Sequence, residues 1–128
     1  MGIAVTHLGA GQLSAFSGEV ALSSATTLYQ APNPGTGIQK AAMVQAVRLT
    51  NIGSATATVQ VYFLKSGGTV AVGGDRRRIL AQDLKLPAGF AVVDDNVLTL
   101  GPGDSIHAYS TTTGATVDFS LSGVESTV

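Results

Sequence analysis

Hydrophobic and polar positions along this chain alternate in short runs, and turn-forming residues separate the runs. The clearest run is residues 115–125, where Ala115, Val117, Phe119 and Leu121 alternate with Thr116, Asp118, Ser120 and Ser122. A period of two gives a strand one buried and one wet face. Ahead of it, the stretches 90–100 and 105–110 read as strands set off by the turns LPAG (86–89), GPGD (101–104) and TTTG (111–114). Further back, 41–50 and 55–64 predict a hairpin. Met43, Val47 and Leu49 share one face of its first arm, and Ala57, Val59, Val61 and Phe63 oppose Thr56, Thr58, Gln60 and Tyr62 on its second. The turn Asn51-Ile52-Gly53-Ser54 offers a glycine for the positive φ such a connection needs, which places this pair at the centre of the sheet.

The remaining elements are shorter. Residues 20–22 and 26–30 predict strands rich in β-branched or aromatic side chains. A loop comes next, from 31 to 37, where two prolines and two glycines cannot sustain a ladder. Thr69 to Val72 predicts a short strand, Gly73-Gly74-Asp75 with Arg76, Arg77 and Arg78 a flexible charged loop, and 79–86 (ILAQDLKL) a strand, although its spacing also fits two helical turns. Residues 1–18, with two apolar runs flanking Gly9-Ala10-Gly11, read as an N-terminal arm or edge strands ahead of one domain over 19–128. The fold class is therefore all-β, a β-sandwich or jelly-roll-like barrel, mostly antiparallel.

At 128 residues the chain can bury one core, roughly two-thirds of what its unfolded form exposes. Only 12% of residues are charged, about half the usual share near 25%. With a mean hydropathy of +0.33, this predicts apolar surface of the kind that other chains cover. A formal net charge of −1 lacks the positive stripe that phosphate binding needs, so no nucleic-acid partner is expected. No apolar run reaches the ~18 residues of a membrane span, and no basic residue precedes an apolar stretch at the N-terminus, so neither membrane insertion nor a signal peptide is expected. Without cysteine there is no disulfide frame, thiolate nucleophile or thiolate metal site.

Candidate chemistry is sparse. His7 and His107 stand a hundred residues apart outside any metal-spaced motif, and the strand parity of His107 predicts that it points outward beside Tyr109 as a surface or interface residue. Asp94, Asp95 and Asp104, with Asn96, could offer oxygens to a hard cation. Their spacing matches no calcium loop, however, and Asp-Asp-Asn makes a good turn. The Gly9/Gly11 pair lacks the third glycine and the helix of a dinucleotide site. No nucleophile motif is present, so no enzyme activity, cofactor or metal is expected. Arg76, Arg77 and Arg78 carry three of the seven basic residues. They serve either as bidentate partners for carboxylates of a neighbouring subunit or as a solvated loop that protects an edge strand.

The C-terminal third, with LPAG, VLTLGPGDSIHAYS and VDFSLSGVE, together with VRLTNIGSATATVQVYFL before it, resembles small β-sandwich structural proteins that tailed bacteriophages encode among their virion genes. The resemblance spans 45–125, leaves out the arginine run and brings no catalytic residues. It implies a virion component assembled in the host cytoplasm, of the capsid decoration or cement type. The expected partners are the major capsid protein or other virion proteins, and copies of the chain itself, with a trimer as the first guess. Arg76, Arg77, Arg78, His107 and Tyr109 are the expected contact residues. A head–tail junction, tail or baseplate protein is the alternative within this class. Outside it stand a carbohydrate-binding or adhesin-like module, which needs exposed aromatics on one face, and a small β-barrel enzyme, which needs convergent catalytic groups.

Overall fold

A computed structural model describes residues 3–33 and 38–127. Among these residues ten strands form: β1 (Ile3–Gln12), β2 (Thr26–Gln30), β3 (Lys40–Asn51), β4 (Ala57–Leu64), β5 (Arg77–Arg78), β6 (Leu84–Leu86), β7 (Ala91–Asp94), β8 (Leu98–Leu100), β9 (Ser105–Ser110) and β10 (Val117–Thr127). They make two antiparallel sheets. Sheet I runs β1-β10-β3-β7, with β8 also paired to β3; sheet II runs β2-β9-β4-β5, with β6 also paired to β4. The two pack against each other as a β-sandwich, the all-β class that the alternation predicts.

The core lies between the sheets. Val44, Val47, Leu49, Leu100, Val117 and Leu121 of sheet I meet Val59, Val61, Leu86, Ile106 and Ala108 of sheet II. In β10, Val117, Phe119 and Leu121 are buried as their spacing requires. In β3 the parity breaks: Ala42 and Val44 are buried, then Val47 and Leu49. The cause is a bulge opposite Ser122 and Gly123, which pair with Ala46 and Val44 and leave Gln45 extra. Met43, expected on the face of Val47 and Leu49, is therefore exposed. Gly123 is the residue that permits the bulge, since a Cβ there would lie 2.2 Å from the Met43 carbonyl oxygen.

The predicted hairpin is not a hairpin. β3 and β4 belong to different sheets, and the turn between them carries the chain across the sandwich. Asn51 is the reason. Its buried side chain donates through Nδ2 to the carbonyls of Ala55 and Leu86, both at 2.8 Å, and accepts the Gly53 N–H at 2.9 Å. One amide thus satisfies backbone groups on both sides of the crossing, and Gly53 is not among the positive-φ glycines.

Other expectations also shift. Residues 20–22 form no strand; Leu22 enters a turn and its N–H reaches the Val70 carbonyl at 2.8 Å. Thr69 to Val72 forms no strand either, because its backbone closes turns with Asp75 and Gly74. Of 79–86 only Leu84–Leu86 is strand, and none of it is helix. The stretch 90–100 divides into β7 and β8 around a break at 95–97. The N-terminal segment supplies β1, an edge strand of sheet I along β10. Of the predicted loop, 34–37 lie outside the described residues.

Candidate functional site: a cationic cluster on the outer face of sheet II

The outer face of sheet II is not wet. In β4 the positions expected to meet solvent, Thr58, Gln60 and Tyr62, are all buried, as are Ser105, His107 and Tyr109 in β9. Two irregular segments cover them. Residues 13–25 lay Phe16, Val20, Leu22 and Ala25 against Tyr62, Leu64 and Tyr109, forming a second apolar cluster. From 65–83, Arg76, Arg78 and Asp83 reach Tyr62, Tyr109 and Gln60, whereas Thr58 meets Lys85 and His107 meets Thr27 and Ser105. Tyr62 and Tyr109 stack with ring centroids 6.0 Å apart, and Phe16 meets Tyr109 edge-on at 6.1 Å.

The arginine run crosses the rim of this cluster, and its three members have different roles. Arg76 turns inward. Its Nη2 donates to the Val20 carbonyl at 2.7 Å and the Val70 carbonyl at 3.3 Å, its Nη1 to the Tyr109 hydroxyl at 3.3 Å, and its Cζ stands 4.8 Å from the Tyr62 ring centroid. It ties both covering segments to the sheet. Arg78 lies 4.9 Å over the same ring and donates to the Gln60 side-chain carbonyl. Arg77, the alternate residue of β5, pairs with Phe63 and donates back to the Arg76 carbonyl at 2.9 Å. Sequence reasoning expected a flexible loop; backbone hydrogen bonds from Gly74 and Asp75, and the pairing of β5 with β4, order it instead.

Further polar links complete the face. Gln60 donates to Asp83 at 2.6 Å, and Lys85 donates to the Thr58 hydroxyl at 2.7 Å. Asp75 accepts the Thr69 N–H at 2.6 Å, and this backbone bond, aided by Lys65 and Arg77, holds its carboxyl below the usual range. His107 does not point outward. Its Nδ1 and Nε2 are linked to the hydroxyls of Thr27 (3.2 Å) and Ser105 (2.8 Å), and burial, with the nearby Arg76 charge, holds its pKa below the usual value. Burial likewise raises the Tyr109 hydroxyl. Tyr109 is fully buried, so it supports the cluster from below and offers no contact surface.

Among the described residues the ion pair formed is Lys40 with Glu125 at 3.9 Å, at the far end of β10. Among those residues, Arg76, Arg77, Arg78 and Lys85 therefore have no carboxylate in bonding range. Two openings flank them. A pocket of about 280 Å³ is bordered by Tyr62, Arg76 and Arg78, with Gly73, Gly74 and Glu19 on its other walls. A cleft of about 340 Å³ lies between the sheets, where Arg77 and Arg78 face Phe63, Asp94 and Val97.

The other candidates are occupied locally. Asp94 accepts from the backbone and side-chain amides of Asn96 at 3.1 Å, an Asx turn. Asp104 accepts the N–H groups of Gly101 and Ser66. The described residues bring no three His, Cys, Asp or Glu side chains together as a metal site. Gly9 and Gly11 lie inside β1, where a Cβ at Gly9 would meet the Leu28 carbonyl at 2.5 Å; they permit close sheet packing and form no phosphate loop. Among the described residues no helix is long and apolar enough to cross a membrane.

Sequence reasoning missed Gln60, Tyr62 and Phe16 as parts of this cluster. Their signal was faint: an aromatic on the supposedly wet face of β4, and a Phe in a glycine-rich arm. No family model matches this chain, and none of the curated proteins is similar to it.

Proposed function

We propose that this chain is a structural protein of a bacteriophage virion, a capsid decoration or cement subunit that works as a homo-oligomer and stabilises the head through protein–protein contacts. The observation that carries this reading is the gathering of Arg76, Arg78 and Lys85 on the outer face of sheet II of a charge-poor domain, with no carboxylate in bonding range among the described residues. Guanidinium groups without a carboxylate at a rim suit an acidic protein partner. Exposed Met43, Ile52, Phe90, Val93 and Val97 add apolar surface of the kind an assembly covers. The turn-and-strand pattern that resembles phage virion proteins supplies the particle. No catalytic step belongs to this reading.

The test is direct imaging of purified chain mixed with capsids of the phage that encodes it, alongside light scattering for the chain's own mass. The expected result is regular density on the head exterior, with a trimer as the first species to look for. Density confined to the neck or tail would replace decoration with the head–tail or baseplate reading. Glycan binding without particle binding would replace both with an adhesin-like module.

A further inference from the structure

We infer that Arg78 is the receiving group of a preformed carboxylate site on sheet II, and that its ligand is an acidic side chain on a segment of a partner protein. This rests on the virion reading only for which protein carries the carboxylate.

Four observations point there. Arg76 and Arg78 both stand within 5 Å of the Tyr62 centroid, so their charges lie no more than about 10 Å apart, inside one Debye length at 0.1 M salt. Such a pair repels itself, and an incoming anion relieves the repulsion. Arg76 is committed to Val20, Val70 and Tyr109, whereas Arg78 is exposed and, beyond its bond to Gln60 and its contact with the ring, borders both the pocket and the cleft. Stacking on Tyr62 and bonding to Gln60 also hold the Arg78 guanidinium in place beforehand, which lowers the ordering cost of binding. Gly73 and Gly74 also line the pocket, and at Gly73 the space where a Cβ would stand is open.

Glu19, an exposed carboxylate on the same rim, is the in-chain competitor. Arg77 points to the inter-sheet cleft and is not part of the site.

The full chain, labelled with nitrogen-15, is titrated with the peptide acetyl-Glu-Glu-Glu-amide and separately with inorganic phosphate. The site predicts saturable shifts at the Arg78 side-chain N–H and at the Gly73 and Gly74 amides. Binding should weaken about tenfold in Arg78→Ser, tighten in Glu19→Gln, fall with added salt and hold nearly constant in Arg77→Ser. Should Arg78→Ser fail to fold, Arg78→Lys keeps the charge but loses the planar fork, and weaker peptide binding is again expected. Absence of saturable shifts at low salt overturns the site, as does equal weakening by Arg77→Ser and Arg78→Ser. Tighter binding of phosphate than of peptide overturns the carboxylate assignment. Peptide binding at Arg78 by a chain that ignores capsids would leave the site standing and remove the virion reading; capsid decoration unaffected by Arg78→Ser would do the reverse.

Discussion

β10 in sheet I and β4 in sheet II carry the same alternation, yet their polar faces end in opposite environments. Ser120 and Asp118 are half-buried and Ser122 is exposed, whereas Thr58, Gln60 and Tyr62 are 9%, 3% and 3% exposed. The difference lies in the segments that pack outside each sheet. On the outer face of sheet I, Arg48, Val93 and Ser122 are exposed, while 13–25 and 65–83 fold back over sheet II, held by Arg76 and by the Leu22 to Val70 backbone bond. Sheet II is thus covered on both faces, and the polar side chains of its strands stay in its outer layer because they are paired: Thr58 with Lys85, Gln60 with Arg78 and Asp83, His107 with Thr27 and Ser105; in the covering layer, Arg76 Nε is buried without a partner.

Truncation inside the common core should have the largest effect. Phe119→Ala is expected to cost about 3–5 kcal/mol by denaturant unfolding. Tyr62→Ala, on the outer face of sheet II, should cost about 3 kcal/mol by the same mechanism, since it opens the second cluster and frees Arg76 and Arg78. A loss under about 1 kcal/mol at Tyr62 would make that face ordinary surface and dissolve the contrast between the sheets. Asn51→Ala should come next, at about 2 kcal/mol, because it strands the Ala55 and Leu86 carbonyls where the chain crosses between sheets.

Acidification should distinguish the sheets more gently. His107 is held neutral by burial and by Arg76, so the unfolded chain binds its proton more readily than the folded one. Stability from this residue is present above about pH 6.5, the ordinary histidine value, and falls as pH drops through that value towards the lower folded one. Melting temperatures measured from pH 7 to pH 5 should decline, and His107→Gln should flatten the decline; an unchanged slope in that variant would remove His107 as its source. The smallest effect belongs to the wet face of sheet I, where Ser122→Ala should stay within about 0.5 kcal/mol.

Much of the fold was legible in short-range pattern. The alternation in 115–125 reads directly as β10, and the period of two in 55–64 reads as β4, because consecutive side chains on an extended backbone must point to opposite faces. The class of fold comes from that geometry, and so do the core positions of β10. The candidate site was legible only as an arginine run; that Arg76 braces, Arg77 borders the cleft and Arg78 borders both cleft and pocket depends on β5 pairing with Tyr62 and Phe63.

Short-range pattern therefore settles that strands form, where most of them turn, and which side chains share a face along each unbroken run. Tertiary structure decided the rest: that β3 and β4 lie in opposite sheets, that Gln45 bulges and exposes Met43, and that the polar side of β4 is covered. Each of these depends on residues far away in sequence, Leu86 for the Asn51 crossing, Gly123 for the bulge, and Val20 with Arg76 for the cover. Alternation records that two faces differ; which of them meets water is set by what packs on it.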